Sequence, residues 1–166
     1  PLPRVALPSS GRPVFLAMVP SVSAAWALAG LYLSLGASVL GGVFDVRSHF
    51  VVGLALSAFF AAGMAGGLVS ALLSPRFREW FGYANLILGV LLTMSATIWC
   101  SLWLHVLGSL VAGCGFGAAF RFAVAALGEV APDDRRGEVF ATMYLVSYLA
   151  FSVPALAAGL AAGRFG

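Results

Sequence analysis

The chain has 166 residues, of which 61% are apolar and only 9% charged, and its mean hydropathy is +1.02. Soluble domains carry about 45–50% apolar and about 25% charged residues, so this composition excludes an ordinary cytosolic domain. All nine basic residues are arginine, and a net charge of +3 scattered along the chain makes no basic face for nucleic acid. Two cysteines give neither a disulfide framework nor metal-ligand spacing. No metal or other cofactor is expected, and the remaining class is an integral membrane protein embedded in a lipid bilayer.

Charge-free runs divide the chain. A helix needs about 20 apolar residues to cross a bilayer, so residues 13–44, 50–75 and 139–163, each without a charge, predict one span apiece. Residues 80–120 also lack a charge and are too long for one helix. A break near Cys100, with Trp99 and Trp103 at headgroup level, divides this run in two. The predicted fold is an all-α, polytopic transmembrane helical bundle of five spans: 14–42, 50–74, 81–100, 103–130 and 138–163. A β-barrel is excluded because the runs are continuously apolar rather than alternating. Residues 1–13, rich in proline, read as a cytoplasmic linker.

Arginine placement gives an orientation. Arg4, Arg12, Arg76, Arg78, Arg135 and Arg136 fall on one side of the predicted membrane, Arg47 and Arg164 on the other. The positive-inside rule puts the first group, and the N-terminus, in the cytoplasm. Arginine-only, alanine-rich usage points to a GC-rich bacterial genome, and the expected location is the bacterial cytoplasmic (inner) membrane. Five spans are an odd number and the ends look abrupt, so the expectation is a piece of a larger protein.

Within the spans, Gly63 with Gly67, Gly113 with Gly117, and Gly159 with Gly163 have the spacing that lets helix backbones approach closely. They serve static packing, or faces that slide during a conformational cycle. Pro154, and Pro20 in the first span, each remove a helix hydrogen bond and invite a kink. Arg121 lies roughly 12 Å deeper along its helix than Glu129, where a guanidinium costs about 2.5–3.5 kcal/mol. It either faces a cavity or partner, or snorkels to the headgroups. Tyr144, Tyr148 and Ser152 recur every four residues. Tyr148 and Ser152, with Trp26 and Tyr32, are candidates for a substrate-facing wall, while Tyr144 reads rather as a lipid-interface or packing residue on the same face. Residues 129–138 hold four of the six acids and two arginines. That turn is either simply solvated, or a charge latch in which Glu129 pairs with Arg135 and Arg136. His49 and His105 are expected to be structural, Asn85 to bond across helices, and Cys100 and Cys114 to be buried thiols. No HExxH, GxSxG, P-loop or intramembrane carboxylate pair is present, so no enzymatic activity is expected.

The glycine-rich run from Gly113 to Arg121, the turn from Glu129 through Pro132 to Arg136 and Gly137, and then Tyr148, Pro154 and Gly159 resemble helices ten and eleven of the major facilitator superfamily. The stretch from Trp26 to Gly36 is similar to helix seven of its bacterial members. The most specific part is the E-x6-R pattern of Glu129 and Arg136, with a proline and an Arg-Gly pair in the turn. The 74–82 loop lacks the Asp-centred pattern found between helices two and three of that family. Ser109 also stands where helix four would carry an arginine, so the match is to the C-terminal half. The resemblance implies helices seven to eleven of a twelve-helix protein, part of a six-helix half that works against a missing N-terminal half. It also implies alternating access around a midplane site. The expected function is secondary active transport of a small molecule, as a proton-coupled exporter of the antiporter kind. Arg121 would then flank the central cavity, and Glu129, Arg135 and Arg136 would close its cytoplasmic end. The alternative is a membrane scaffold or assembly subunit that transports nothing.

Overall fold

The computed structural model describes residues 12–165; the predicted linker up to residue 11, with Arg4, lies outside them. Five helices follow one another: α1 (Arg12–Gly42), α2 (His49–Leu72), α3 (Pro75–Ile98), α4 (Leu102–Val130) and α5 (Arg136–Phe165), with a single 3-10 turn at Asp133–Arg135. All five are long and apolar enough to cross a membrane, and no strand occurs among the described residues. The chain is an all-α helical bundle and an integral membrane protein. Leu54, Ile87, Ile98 and Leu160 are exposed on its outside, as a bilayer allows and water does not.

The predicted spans match these helices to within two residues, except at the start of α3. That helix begins at Pro75, six residues before the predicted 81. Ser74 precedes it in an extended conformation and Pro75 occupies its first position, where proline's missing N–H is harmless and its fixed φ suits the helix. The turn carrying Arg76, Arg78 and Glu79 is therefore helical but not apolar, which a hydropathy run cannot register. The same serine ends the predicted second span too late, since Leu73 is already extended (φ −83°, ψ 152°).

The break between α3 and α4 falls where expected. Cys100 adopts a left-handed conformation (φ 49°), and the Ser101 N–H donates to the Ala96 carbonyl at 3.0 Å, the wrapped bond of a Schellman-type stop. Ser101 then caps α4 by accepting from the Leu104 N–H. Trp99 and Trp103 flank the turn and are exposed.

Helix α4 is the hub, packed against α3, α2 and α1, while α1 also pairs with α5. Small residues make these approaches possible. A Cβ on Gly113 or Gly117 would collide with the backbone of Phe59 or Gly63 on α2, and one on Gly66 with Cys114. On the other side of α4, Gly115 meets Leu86 and Gly82, and Gly89 meets Ala112. Between α1 and α5, Gly30 abuts the Phe151 carbonyl. The pair Gly159 and Gly163 differs: a Cβ at either would meet nothing within 4 Å. Spacing alone gave these two glycines a packing role, but the final turns of α5 run beside no other described helix. Pro20 and Pro154 lie inside unbroken helices.

Candidate functional site

Helix α4 presents Gly113, Gly117 and Arg121 at intervals of four, hence on one face. The two glycines bring α2 against that face, and Arg121 follows immediately past the crossing. There it lines a groove of about 290 Å³ together with Phe60, Gly63, Phe116 and Phe120. Among the described residues the ion pairs are Arg47 with Asp45, Arg135 with Glu138, and Arg136 with Asp133; Arg121 takes part in none of them.

Beside the groove stands a wall of rings. Trp26 of α1 is met edge-on by Phe116 (centroids 5.7 Å apart), Phe120 (5.5 Å), Tyr148 (5.5 Å) and Phe151 (6.2 Å), the arrangement aromatic quadrupoles favour. Phe120 continues to Tyr144 at 6.2 Å, Tyr144 stacks on Tyr148 at 6.4 Å, and Phe116 reaches Phe60 of α2 at 6.3 Å. Four helices thus contribute to one surface. Tyr148 and Tyr144 are 59% and 42% exposed on it. The Trp26 indole nitrogen is buried with no hydrogen-bond partner, so an N–H donor sits unsatisfied among carbon atoms, a costly arrangement away from functional surfaces.

Of the residues the sequence singled out, Trp26, Tyr148 and Tyr144 come together here, with Arg121 at the margin. Ser152 is exposed one turn beyond Tyr148 on α5 and joins no ring contact. Tyr32 is elsewhere. At 100° per residue it points about 120° away from Trp26 around α1. It stacks on Phe59 (4.7 Å) and His105 (5.9 Å), and its hydroxyl is hydrogen-bonded to Ser109 Oγ. Ser109 Oγ in turn donates to the His105 carbonyl at 2.6 Å. His105 is 7% exposed, meets Phe44 at 5.0 Å, and has no partner for Nδ1. Phe60, Phe116 and Phe120 were missed as site residues. The four-residue spacing of Phe116 and Phe120, matching Tyr144 and Tyr148, was the available signal.

At the arginine-rich end the predicted pairs are exchanged for others. Arg135 binds Glu138 (2.6 Å), not Glu129, and Arg136 lies 3.5 Å from Asp133 while donating to the Gly128 carbonyl at 3.1 Å. The 3-10 turn makes these i,i+3 partners nearer than Glu129, which sits a helix end away. Arg78 likewise donates to the Leu73 and Ala71 carbonyls at 2.8 and 2.9 Å. Two more expectations change. Asn85 donates to the Phe81 carbonyl of its own helix at 2.8 Å instead of bridging helices, and Cys100 is exposed in its turn while Cys114 is half-buried.

Comparison with family models, with curated proteins and with solved structures gives no match.

Proposed function

We propose that this protein is a secondary active transporter that moves a small molecule by alternating access, built like the C-terminal bundle of a major facilitator. The observation that carries this reading is the aromatic wall. Four helices converge to place seven rings and Arg121 on one surface, and two of its tyrosines face outward. Ionisable residues inside spans face cavities or partners because lipid cannot solvate them, and a wall of this composition suits one side of a substrate path. Proton-coupled export across a bacterial inner membrane, with the N-terminus in the cytoplasm, belongs to the same proposal. In it, Glu129, Arg135 and Arg136 work as a latch: Arg135 and Arg136 hold Glu138, Asp133 and the end of α4 in one state and exchange to Glu129 in the other.

An uptake screen tests this in cells expressing the complete reading frame, across radiolabelled metabolites and fluorescent dyes grouped by charge. One or more compounds should show gradient-dependent flux, and Arg121→Ala should abolish it while the protein still inserts. Glu129→Arg should impair the same flux and Arg136→Glu should partly restore it. Absence of gradient-dependent flux for every compound, with insertion verified, overturns the transport reading in favour of a scaffold.

A further inference from the structure

We infer that the groove between α2 and α4 binds an organic anion with a flat apolar body, the anionic group on Arg121 and the body against the ring wall. The inference rests on the transport reading for its purpose and on separate observations for its chemistry. The first is charge. Arg121 is exposed on α4 near the start of α3, where Gly82 meets Ala119 and Glu79 lies almost level with it. The other described acids are farther along the bundle, Asp45 after α1 and Glu129, Asp133, Asp134 and Glu138 at and after the end of α4. None pairs with it. A planar guanidinium with five donors and no internal acceptor is complementary to a carboxylate or similar anion, which it grips with two parallel hydrogen bonds.

The second observation is shape. Phe116 and Phe120 are parallel to within 4° and line the same groove as Arg121, and Tyr144 and Tyr148 extend the apolar surface outward. Gly63, Gly67 and Gly117 also line the groove, beside Met64 and Leu68, and the glycines themselves place no side chain over the rings. A flat body can therefore lie on the wall while its charged end reaches Arg121. A cationic ligand has the wrong sign for this site. A flexible polar one would leave its hydroxyls unpaired against rings.

The wall contains its own reporter. The other three tryptophans, Trp80, Trp99 and Trp103, are exposed on the outside of the bundle at 74%, 73% and 85%. Replacing them with phenylalanine leaves Trp26 as the single tryptophan, selectively excited at its red edge and in edge contact with Phe120 and Tyr148. The full chain in lipid nanodiscs is titrated with 1-naphthoate and with its neutral counterpart, 1-naphthalenemethanol. The expected result is saturable quenching of Trp26, with naphthoate at least about tenfold tighter than the alcohol, as a charge-assisted hydrogen bond provides. Arg121→Gln should erase that preference and Arg121→Lys should retain part of it. Equal affinities in the unmutated chain, quenching that never saturates, or a preference that survives Arg121→Gln would each overturn the inference. Since the readout is binding, naphthoate preference without any transported compound would remove the transport reading alone. Flux of compounds that show no such preference would remove this inference alone.

Discussion

Arginine has two jobs at one end of this molecule. The excess of arginine there is what the positive-inside rule reads as topology, yet two of these residues also finish helices. Arg78 closes the last carbonyls of α2 through Leu73 and Ala71, and Arg136 does the same for α4 through Gly128. Both helices end at this face, so the negative ends of their dipoles and the unpaired carbonyls meet guanidinium groups. Another single residue carries a cost. Cys100 holds a left-handed conformation (φ 49°) in which a Cβ crowds the following carbonyl. Cys100→Gly should stabilise the protein by about 0.5–1 kcal/mol, the left-handed penalty less glycine's greater freedom when unfolded. Cys100→Val should destabilise it. Thermal unfolding in micelles measures both, and a loss on Cys100→Gly would contradict the Schellman-type stop.

Among the elements, α4 carries the architecture because its small residues point in two directions. Gly113 and Gly117 face α2 while Gly108, Ala112 and Gly115 face α3, so three helices share one axis of close contact without large side chains between them. Bilayers supply no hydrophobic drive for this association, and packing at backbone distance replaces it. The same spacing in α5 is idle. Gly117→Ala should lose about 1–3 kcal/mol through collision with the Gly63 backbone, whereas Gly159→Ala, meeting nothing, should gain about 0.5–1 kcal/mol from helix propensity. Denaturant titration in mixed micelles separates the two. Equal effects would mean that the α2–α4 crossing is looser than its geometry indicates.

At the scale of the whole molecule, α4 runs from one face of the bundle to the other, so the turn before it and the turn after it lie on opposite faces. Cys100, exposed between α3 and α4, and Asp134, exposed in the turn before α5, should therefore react from opposite sides of the membrane. In a Cys114→Ala background, an impermeant thiol reagent applied to intact cells should label Cys100. An introduced Asp134→Cys should react only after permeabilisation. Labelling of both from outside would overturn the five-span arrangement, and the reverse pattern would invert the proposed orientation.

The amino-acid sequence by itself determined the class, the number of helices, the turn at Cys100 and the helix ends to a residue or two, because a bilayer demands long charge-free runs and punishes charge anywhere else. Hydropathy could not locate the start of α3, where Ser74 and Pro75 set a boundary inside a charged turn. Spacing named Gly113, Gly117 and Gly159 alike, and only the tertiary structure showed that the first two touch a backbone and the third touches nothing. It also separated Tyr32 from Trp26, gathered Phe60, Phe116 and Phe120 around the indole, and gave Arg135 and Arg136 partners other than Glu129. Local physics is written in consecutive residues, but which faces meet depends on helix rotation and crossing. Those are set by packing between segments that lie far apart along the chain.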